Sequence, residues 1–260
     1  MKRVLTVEAW RALRAEHRAA NRIIGFVPTM GALHAGHVSL FEAARQECDV
    51  VMASVFVNPT QFDDPQDFAK YPRVLDADAQ LMEAAGVDVA FAPPVEEMYP
   101  NGQHFTVNED RLSEELCGAH RPGHFTGVLT VVMKLLQIAG ADRAYFGEKD
   151  YQQLQLVRGM AAAFFLETKI VGCPTVREPD GLAMSSRNGR LTAEERRLAP
   201  EFHRALAEEP NAADARARLA RAGFQVDYVE DREGRRFGAV RLGTTRLIDN
   251  VASREIRNPR

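Results

Sequence analysis

The stretch Phe26-Val-Pro-Thr-Met-Gly-Ala-Leu-His-Ala-Gly-His37 decides the fold. An apolar strand over Ile23–Val27 runs through a turn of small residues into an amphipathic helical pattern, Val38–Glu47. His34 and His37 stand three residues apart, a spacing that places two imidazoles on one face of a helical first turn. Such a turn is expected to present unpaired backbone N–H groups and the positive end of the helix dipole. Two rings and several amides converging on one spot make a phosphate cradle. Gly31 and Gly36 carry no Cβ, so the backbone can come close to a ligand. Taken alone, a His-x-x-His turn reads more readily as a polar connection. The strand before it and the glycines inside it favour the phosphate reading.

Outward from this unit the same grammar repeats. Apolar, β-branched runs occur at Val50–Val57, Val87–Ala92, Arg143–Phe146 and Thr168–Val171, with helical patterns at Asp76–Ala85, Thr126–Ile138 and Tyr151–Leu166. Near-continuous apolar strands are those buried on both faces. Their alternation with helices predicts a Rossmann-like parallel α/β sheet with right-handed crossovers. Ligands of such sheets bind beyond the carboxyl ends of the strands, which directs attention to 28–37, 58–61 and 147–150. The last third changes character. Thr192-Ala-Glu-Glu195 is a capping box, and Pro200 should kink or divide the helix it opens. A helix over Ala212–Ala222 should stop at Gly223. Val226–Val229 and Phe237–Leu242 flank a turn at Arg232-Glu-Gly-Arg235, with Leu247–Val251 as a further strand. These elements predict a small C-terminal α+β domain, 176–260, after a larger domain, 1–175.

The chain has 260 residues, of which 45% are apolar and 27% charged, ordinary globular usage that needs no staple. Its net charge of −3 gives no basic field to draw nucleic acid or a membrane surface. Three scattered cysteines, Cys48, Cys117 and Cys173, fit reduced thiols in a cytosol better than a disulfide framework. The N-terminal MKRVLTVEAW lacks the apolar core of a signal peptide, and no apolar run reaches membrane-spanning length. A soluble cytoplasmic protein is expected.

Four further segments carry chemistry. In Phe56-Val-Asn-Pro-Thr-Gln-Phe62, the amides of Asn58 and Gln61 donate and accept at once, which suits a small ligand with hydroxyl and carboxylate groups. In Phe146-Gly-Glu-Lys-Asp-Tyr-Gln-Gln153, Gly147 permits close approach, Lys149 is a point charge suited to phosphate, and Gln153 falls on the first turn of a helix. Arg177 to Asn188 reads REPDGLAMSSRN, where Ser185, Ser186 and Arg187 offer two hydroxyls and a guanidinium fork apt for polyphosphate. Arg121-Pro-Gly-His124 opens the most apolar helix, with Arg121 placed to hold a carboxylate and His124 to meet a reacting group. Each segment alone also reads as a polar turn. Asp76 and Asp78, after Tyr71-Pro-Arg73, read more simply as acids in a helical first turn than as magnesium ligands. His17, His104, His120 and His203 have no companions in sequence.

In this order, PTMGALHAGH, FVNPTQF, RPGHFTGV, FGEKDYQQ and DGLAMSSRN resemble the pantothenate synthetase (pantoate–β-alanine ligase) family. That family belongs to the HxGH nucleotidyltransferases related to class I aminoacyl-tRNA synthetases. The likeness runs from Met1 to about Asn188 and resumes at Val226–Glu230 and at Arg241-Leu-Gly-Thr-Thr-Arg-Leu-Ile-Asp-Asn250. It departs from the family in a shorter stretch near Glu208 to Ala213. The resemblance implies that pantoate attacks ATP to give pantoyl adenylate and pyrophosphate, and that β-alanine then displaces AMP. It implies an ATP loop of Met30, Gly31, Ala32, Leu33, His34, Ala35, Gly36 and His37. Further ATP contacts are implied from Gly147, Glu148, Lys149 and Asp150, and from Val176, Met184, Ser185, Ser186 and Arg187. His34, His37 and Lys149 would be catalytic. Gln61 and Gln153 would hold pantoate, with β-alanine near Gln61, Arg121 and His124. Mg²⁺ and a homodimer are implied as well, with no magnesium ligands assigned. The 63–72 loop and the C-terminal domain would exclude water from the adenylate. A different HxGH adenylyltransferase would lack the paired glutamines. An inert nucleotide- or RNA-binding relative would lack a histidine or Lys149.

Overall fold

The computed structural model describes residues 1–63 and 68–252. Its main sheet holds β1 (Lys2–Val4), β2 (Ile24–Thr29), β3 (Val50–Val55), β4 (Val89–Phe91), β5 (Arg143–Gly147) and β6 (Lys169–Cys173), all parallel, in the order β1-β4-β3-β2-β5-β6. The helices between them are α1 (Val7–Ala19), α2 (Ala35–Glu47), α3 (Leu75–Ala84), α4 (Val95–Met98), α5 (His124–Ala139) and α6 (Tyr151–Ala163). The predicted parallel α/β sheet is present. Strand order reverses between β2 and β5, so the crevice beyond their carboxyl ends is the expected ligand edge. The HAGH turn leaves β2 there, and Gly147 ends β5 there.

The core explains the strand order. Val27, Val51 and Ala53 are buried and pack with Leu40, Phe41 and Ala44 of α2 and Met82 of α3. The sequence reading offered no element before Ile23, yet β1 and α1 lie there. α1 buries one residue, Trp10, which is fully enclosed and donates Nε1–H to the carbonyls of Ile138 and Ala139 at 2.9 and 3.3 Å. Arg14 and Arg18 add donors to the Ile138 and Gly140 carbonyls, so α1 satisfies the orphan end of α5.

By contacts the chain forms two compact units. The first comprises Met1–Glu148 and Gln152–Cys173, and the second Lys149–Tyr151 together with the chain from Pro174 onward. Residues 149–151 fall in the second because Asn250 holds the Lys149 carbonyl and Arg235 stacks on Tyr151. The second unit contains α7 (Ala193–Leu198), α8 (Pro200–Glu208), α9 (Ala212–Arg221) and an antiparallel sheet β7 (Gln225–Arg232), β8 (Arg235–Leu242) and β9 (Thr245–Ala252). The Thr192–Glu195 capping box is formed, and Pro200 divides the helix into α7 and α8. Phe202, Leu206, Leu219, Val240 and Val251 form the buried centre. Arg236 is also buried. It pairs with Asp231 and donates to the carbonyls of Leu206 and Glu209, closing the end of α8.

Candidate active site

In the first unit, the turn between β2 and α2 is built around one buried acid. Asp78, on the first turn of α3, is 2% exposed. Its carboxylate accepts the N–H groups of Ala32 at 3.0 Å and Leu33 at 2.8 Å. Gly31 and Ala32 are both left-handed, with φ of +80° and +52°. A Cβ at Gly31 would lie 2.8 Å from Asp78 Oδ2, so both its conformation and its contact require glycine. Ala32 has no such licence. Its strain, about 1–3 kcal/mol for a non-glycine residue in such a region, persists because Asp78 fixes the peptide. The N–H of Gly31 goes to Thr29 Oγ1, 3.2 Å away.

The two histidines cap α2 reciprocally. The Gly36 N–H donates to His34 Nδ1 at 3.1 Å, and the His34 N–H donates to His37 Nδ1 at 3.3 Å. Their ring centroids are 4.2 Å apart. Because both Nδ1 atoms accept, each neutral ring carries its proton on Nε2. This corrects one expectation. The N–H groups of Gly31, Ala32, Leu33, His34 and Gly36 are bound by protein acceptors, so the turn is not a nest of open amides. The same hydrogen bonds fix the tautomer of each neutral ring, with its proton on Nε2.

The turn after β3 is organised by Asn58, which is 1% exposed. Its Nδ2 donates to Gln61 Oε1 (3.0 Å) and to the Gly127 carbonyl (3.2 Å), while its Oδ1 accepts from Tyr99 Oη (2.9 Å). Burial raises the Tyr99 phenol above its ordinary value. Asn58, expected as a ligand group, is spent on the fold and positions Gln61. The Gln61 amide lies 3.1 Å from Met30 Sδ, which joins this turn to the HAGH loop. Gly127 lets α5 press against the turn, since a Cβ there would lie 2.4 Å from the Thr60 carbonyl.

Arg121 and His124 arrive beside the same turn. His124 Nδ1 meets the Gln61 carbonyl at 2.8 Å, and its Nε2 lies 3.0 Å from Arg121 Nη1. An arginine can only donate, so Nε2 accepts and Nδ1–H donates. Arg121 is paired within the protein, with the Asp63 carboxylate, through Nε at 2.9 Å and Nη2 at 2.6 Å. Burial alone would raise the Asp63 carboxyl. The hydrogen bond and charge of Arg121 outweigh it and hold the group below its ordinary value. Of the 63–72 loop expected to act as a lid, residues 64–67 lie outside the described residues.

Two adjacent glutamines on the first turn of α6 divide their roles. Gln152 is buried, accepting the Cys117 N–H at 3.0 Å and donating to the carbonyls of Leu112 and Glu115. Gln153 is half-buried, the partly open position among the pair.

The second unit holds the remaining candidates. The Val176 carbonyl accepts the Met184 N–H at 3.0 Å, and Arg177 bridges Ala183, so 176–184 is a tight hairpin. Ser185 Oγ caps the turn Ser186–Arg190 by accepting the Arg187 N–H at 3.2 Å. Arg196 ties the hairpin down through Glu178 and Asp180, each at 2.6 Å. Lys149 is half-buried, its Nζ 3.4 Å from Asp150 Oδ2. Structure thus joins Met30, Gln61, Arg121 and His124 in one unit, and Lys149, Val176 and Met184–Arg187 belong to the other.

The acids near Tyr71 are engaged within the protein, Asp78 as above and Asp76 with Arg3 at 2.9 Å. Among the described residues, no group of three or more His, Cys, Asp or Glu is arranged to hold a metal ion. No helix among them is long and apolar enough to cross a membrane. Cys48, Cys117 and Cys173 are buried and form no disulfide.

The family model described as Pantoate-beta-alanine ligase matches residues 2–252. The chain belongs to the pantoate–β-alanine ligase family. The pantothenate synthetase of Bdellovibrio bacteriovorus is 52% identical over 244 residues, 94% of this chain and 95% of that protein. The pantothenate synthetase structure from Thermus thermophilus superposes with a TM-score of 0.87 at 44% identity, covering 97% of this chain and 99% of that one. The pantoate–β-alanine ligase of Francisella tularensis, solved with beta-gamma ATP and β-alanine, gives a TM-score of 0.93 at 40% identity over 98% of each chain. The activity of this chain is accordingly the ATP-dependent joining of pantoate to β-alanine. Within the ligase family reading, Asp78, Asn58, Tyr99 and Gln152 are supporting residues; the sequence offered Asn58 as a ligand group and Asp78 as a helical first-turn acid, and assigned Tyr99 and Gln152 no role. Each binds a backbone or side-chain group far away in the chain. One signal was present for Asp78, since 78, 79 and 82 share the buried face of α3, where an acid demands a partner.

Proposed function

We propose that this chain joins pantoate to β-alanine through a pantoyl-adenylate intermediate, releasing AMP and pyrophosphate from ATP. The observation that carries this reading is the fixed-tautomer His34–His37 pair in the same unit as the Met30–Gln61 contact, in a chain matched over residues 2–252 by the ligase family. The Francisella relative, solved with beta-gamma ATP and β-alanine, supports the choice of two of the three substrates.

In the first step, a pantoate carboxylate oxygen attacks the α-phosphorus and the bond to the β-phosphate bridging oxygen breaks. Negative charge grows on the transferring group and on departing pyrophosphate. Preorganised donors aimed at that charge are the main protein contribution. His34 and His37 supply Nε2–H donors. Lys149 supplies a cation, and Ser185, Ser186 and Arg187 supply hydroxyl and guanidinium donors to the phosphates. Met30–His37, Gly147–Asp150, Val176 and Met184–Arg187 form the proposed ATP site. Gln61 and Gln153 hold the pantoate hydroxyls and carboxylate. In the second step, the β-alanine amine attacks the acyl carbon, loses a proton, and AMP leaves with the C–O bond pair. Gln61, Arg121 and His124 orient β-alanine, whose carboxylate suits the Arg121 fork now paired with Asp63. Mg²⁺ is proposed to enter with the ATP phosphates, the usual arrangement for this ion. The active protein is proposed to be a cytoplasmic homodimer.

The test is stoichiometry. With Mg²⁺, ATP, D-pantoate and β-alanine, the protein should form pantothenate, AMP and pyrophosphate in equal amounts. With pantoate alone it should release pyrophosphate once per site and then pause until β-alanine is added. ADP and inorganic phosphate as products would overturn the reading. Pyrophosphate released only when β-alanine is present would remove the adenylate step.

A further inference from the structure

The segment Leu247-Ile-Asp-Asn250 marks the end of the sequence likeness but has no part in the proposed chemistry. It lies in β9, and its last two side chains do unusual work. Asp249 and Asn250 are each 3% exposed. Consecutive residues of a strand point to opposite faces, so the two grip different parts of the second unit.

Asp249 grips the hairpin that leads into Met184–Arg187. Its carboxylate takes Arg177 as a bidentate partner, Nη1 at 2.7 Å and Nη2 at 3.0 Å. Arg177 in turn donates to the Gly181 carbonyl at 3.1 Å, inside the hairpin turn. It also bridges Ala183, one residue before Met184. From α8, His203 Nδ1 lies 3.3 Å from Asp249 Oδ2. Burial would raise the Asp249 carboxyl; His203 and Arg177 together hold it below its ordinary value.

Asn250 grips the other segment. Its Nδ2 donates to the Lys149 carbonyl at 2.9 Å, and its Oδ1 accepts from Arg235. The Arg235 guanidinium stacks 4.0 Å above the Tyr151 ring, which itself lies 6.0 Å from Phe237. The turn that bears Lys149 is therefore fastened to the same strand as the hairpin that bears Ser185 and Arg187.

We propose that Asp249 and Asn250 are positioning residues that set the spacing between Lys149 and the Ser185–Arg187 turn, and so tune the site for the ATP polyphosphate. This rests on the reading of those residues as ATP ligands. Bidentate arginine pairing fixes orientation as well as distance, and a donor to a main-chain carbonyl holds a turn without occupying its side chain. The two-residue strand end thus works as a ruler between two donor sets that lie far apart in sequence.

Near-isosteric variants test it. Asn250→Asp replaces the donor facing the Lys149 carbonyl by an acceptor, and Asp249→Asn removes the charge that orders Arg177. Each should weaken a non-hydrolysable ATP analogue about tenfold by calorimetry, the scale of one lost hydrogen bond to a charged or ordered group. The KM for pantoate at saturating ATP should stay within about twofold, since neither residue belongs to the unit that holds Gln61. In a Lys149→Ala background, Asn250→Asp should cost less than about twofold more, because it acts through Lys149. Thermal melts report whether each variant folds. Unchanged analogue affinity in a folded variant, equal losses for ATP and pantoate, or unfolding of both variants would overturn the inference. Lys149→Ala and Arg187→Ala run alongside. If these also leave analogue affinity unchanged, the ATP assignment has failed; if they weaken it and the β9 variants do not, only the ruler has failed.

Discussion

The HAGH turn and the Met184–Arg187 turn are both proposed to meet phosphate, yet they are held by different forces. The first is held from below by backbone hydrogen bonds, two of them to the single buried carboxylate of Asp78 and two to its own histidine rings. The second has backbone bonds too, Met184 N–H to the Val176 carbonyl and Arg187 N–H to Ser185 Oγ, but its base is tied by pairs of charged side chains, Arg177 with Asp249 and Arg196 with Glu178 and Asp180. A turn fixed through its own amides has little freedom left, and its rings are preorganised. A turn whose base is tied by arginine forks loosens when those forks are unpaired. The difference suits a division of labour in which the rigid part meets the transferring group and the pinned part meets the polyphosphate.

The largest effect should come from the rigid side. His37→Ala should lower the adenylation rate by about 10²–10³, the scale for removing one preorganised donor from transition-state charge. ATP affinity should change far less, because the donor matters most in the transition state. Arg187→Ala should show the reverse balance, with the greater loss in ATP affinity. Pyrophosphate release and analogue binding measured on both variants check this. Equal patterns in the two would erase the proposed division.

Next is Asp78→Ala, which removes the acceptor beneath the HAGH turn. The N–H groups of Ala32 and Leu33 would lose their partner, and left-handed Ala32 would lose its restraint. The expected loss is about 2–3 kcal/mol of stability, the cost of leaving buried donors unsatisfied, read by urea denaturation. Adenylation should fall even at temperatures where the protein stays folded. Asp78→Asn keeps one acceptor oxygen and should fall between the two. If Asp78→Ala matches the parent in both stability and rate, the turn holds itself.

These support residues also show how far the sequence could be read. The strand–turn–helix grammar, the Thr192 capping box and the break at Pro200 are local, and they stand in the structure as the sequence predicts. α2 starts at Ala35 and not at Val38 because His34 itself is the cap, which hydrophobic periodicity does not reveal. β1 and α1 escape because Trp10 makes its decisive bonds to Ile138 and Ala139, more than a hundred residues away. The residue types of the candidate site are legible, but their division into ligand groups and supports is not. Asn58 and Gln61 look alike in sequence, as do Gln152 and Gln153. In each pair one amide is committed to distant backbone or side-chain groups and the other is the one proposed to hold pantoate.

Gln61→Ala separates those roles within the first unit. It should weaken pantoate use by about 1–3 kcal/mol, the range for a polar partner left unpaired. ATP binding without pantoate should barely move. The Asn58→Ala variant, by contrast, removes the hub that places Gln61, and should lower pantoate use and stability together. Steady-state KM values with a denaturation curve for each variant distinguish them. A Gln61→Ala protein that loses stability as much as Asn58→Ala would make Gln61 another support.

The smallest effect belongs to the pinned turn. Arg196 is about one-third exposed, and its pairs with Glu178 and Asp180 are screened by solvent and salt. Arg196→Ala should cost about 0.2–1 kcal/mol, the measured range for such pairs. Its signature should be local, with faster amide exchange over 178–190 and no change over 30–37. Raising salt to about 1 M, where screening acts within a few ångströms, should bring the parent towards the variant over 178–190. Acid should act the same way. Asp180 and Asp249 both titrate below the ordinary 3.8 in the folded chain, because arginine partners, with His203 at Asp249, outweigh their burial. A depressed carboxyl contributes stability that is present above its unfolded value and lost as pH falls through its folded one. Exchange over 178–190 should therefore rise below about pH 3.8, relative to the intrinsic rate, and Arg196→Ala should blunt that rise, because Asp180 without its partner has no depressed carboxyl left to lose. If salt and acid loosen the HAGH turn as readily as the hairpin, the two turns are held by the same forces after all.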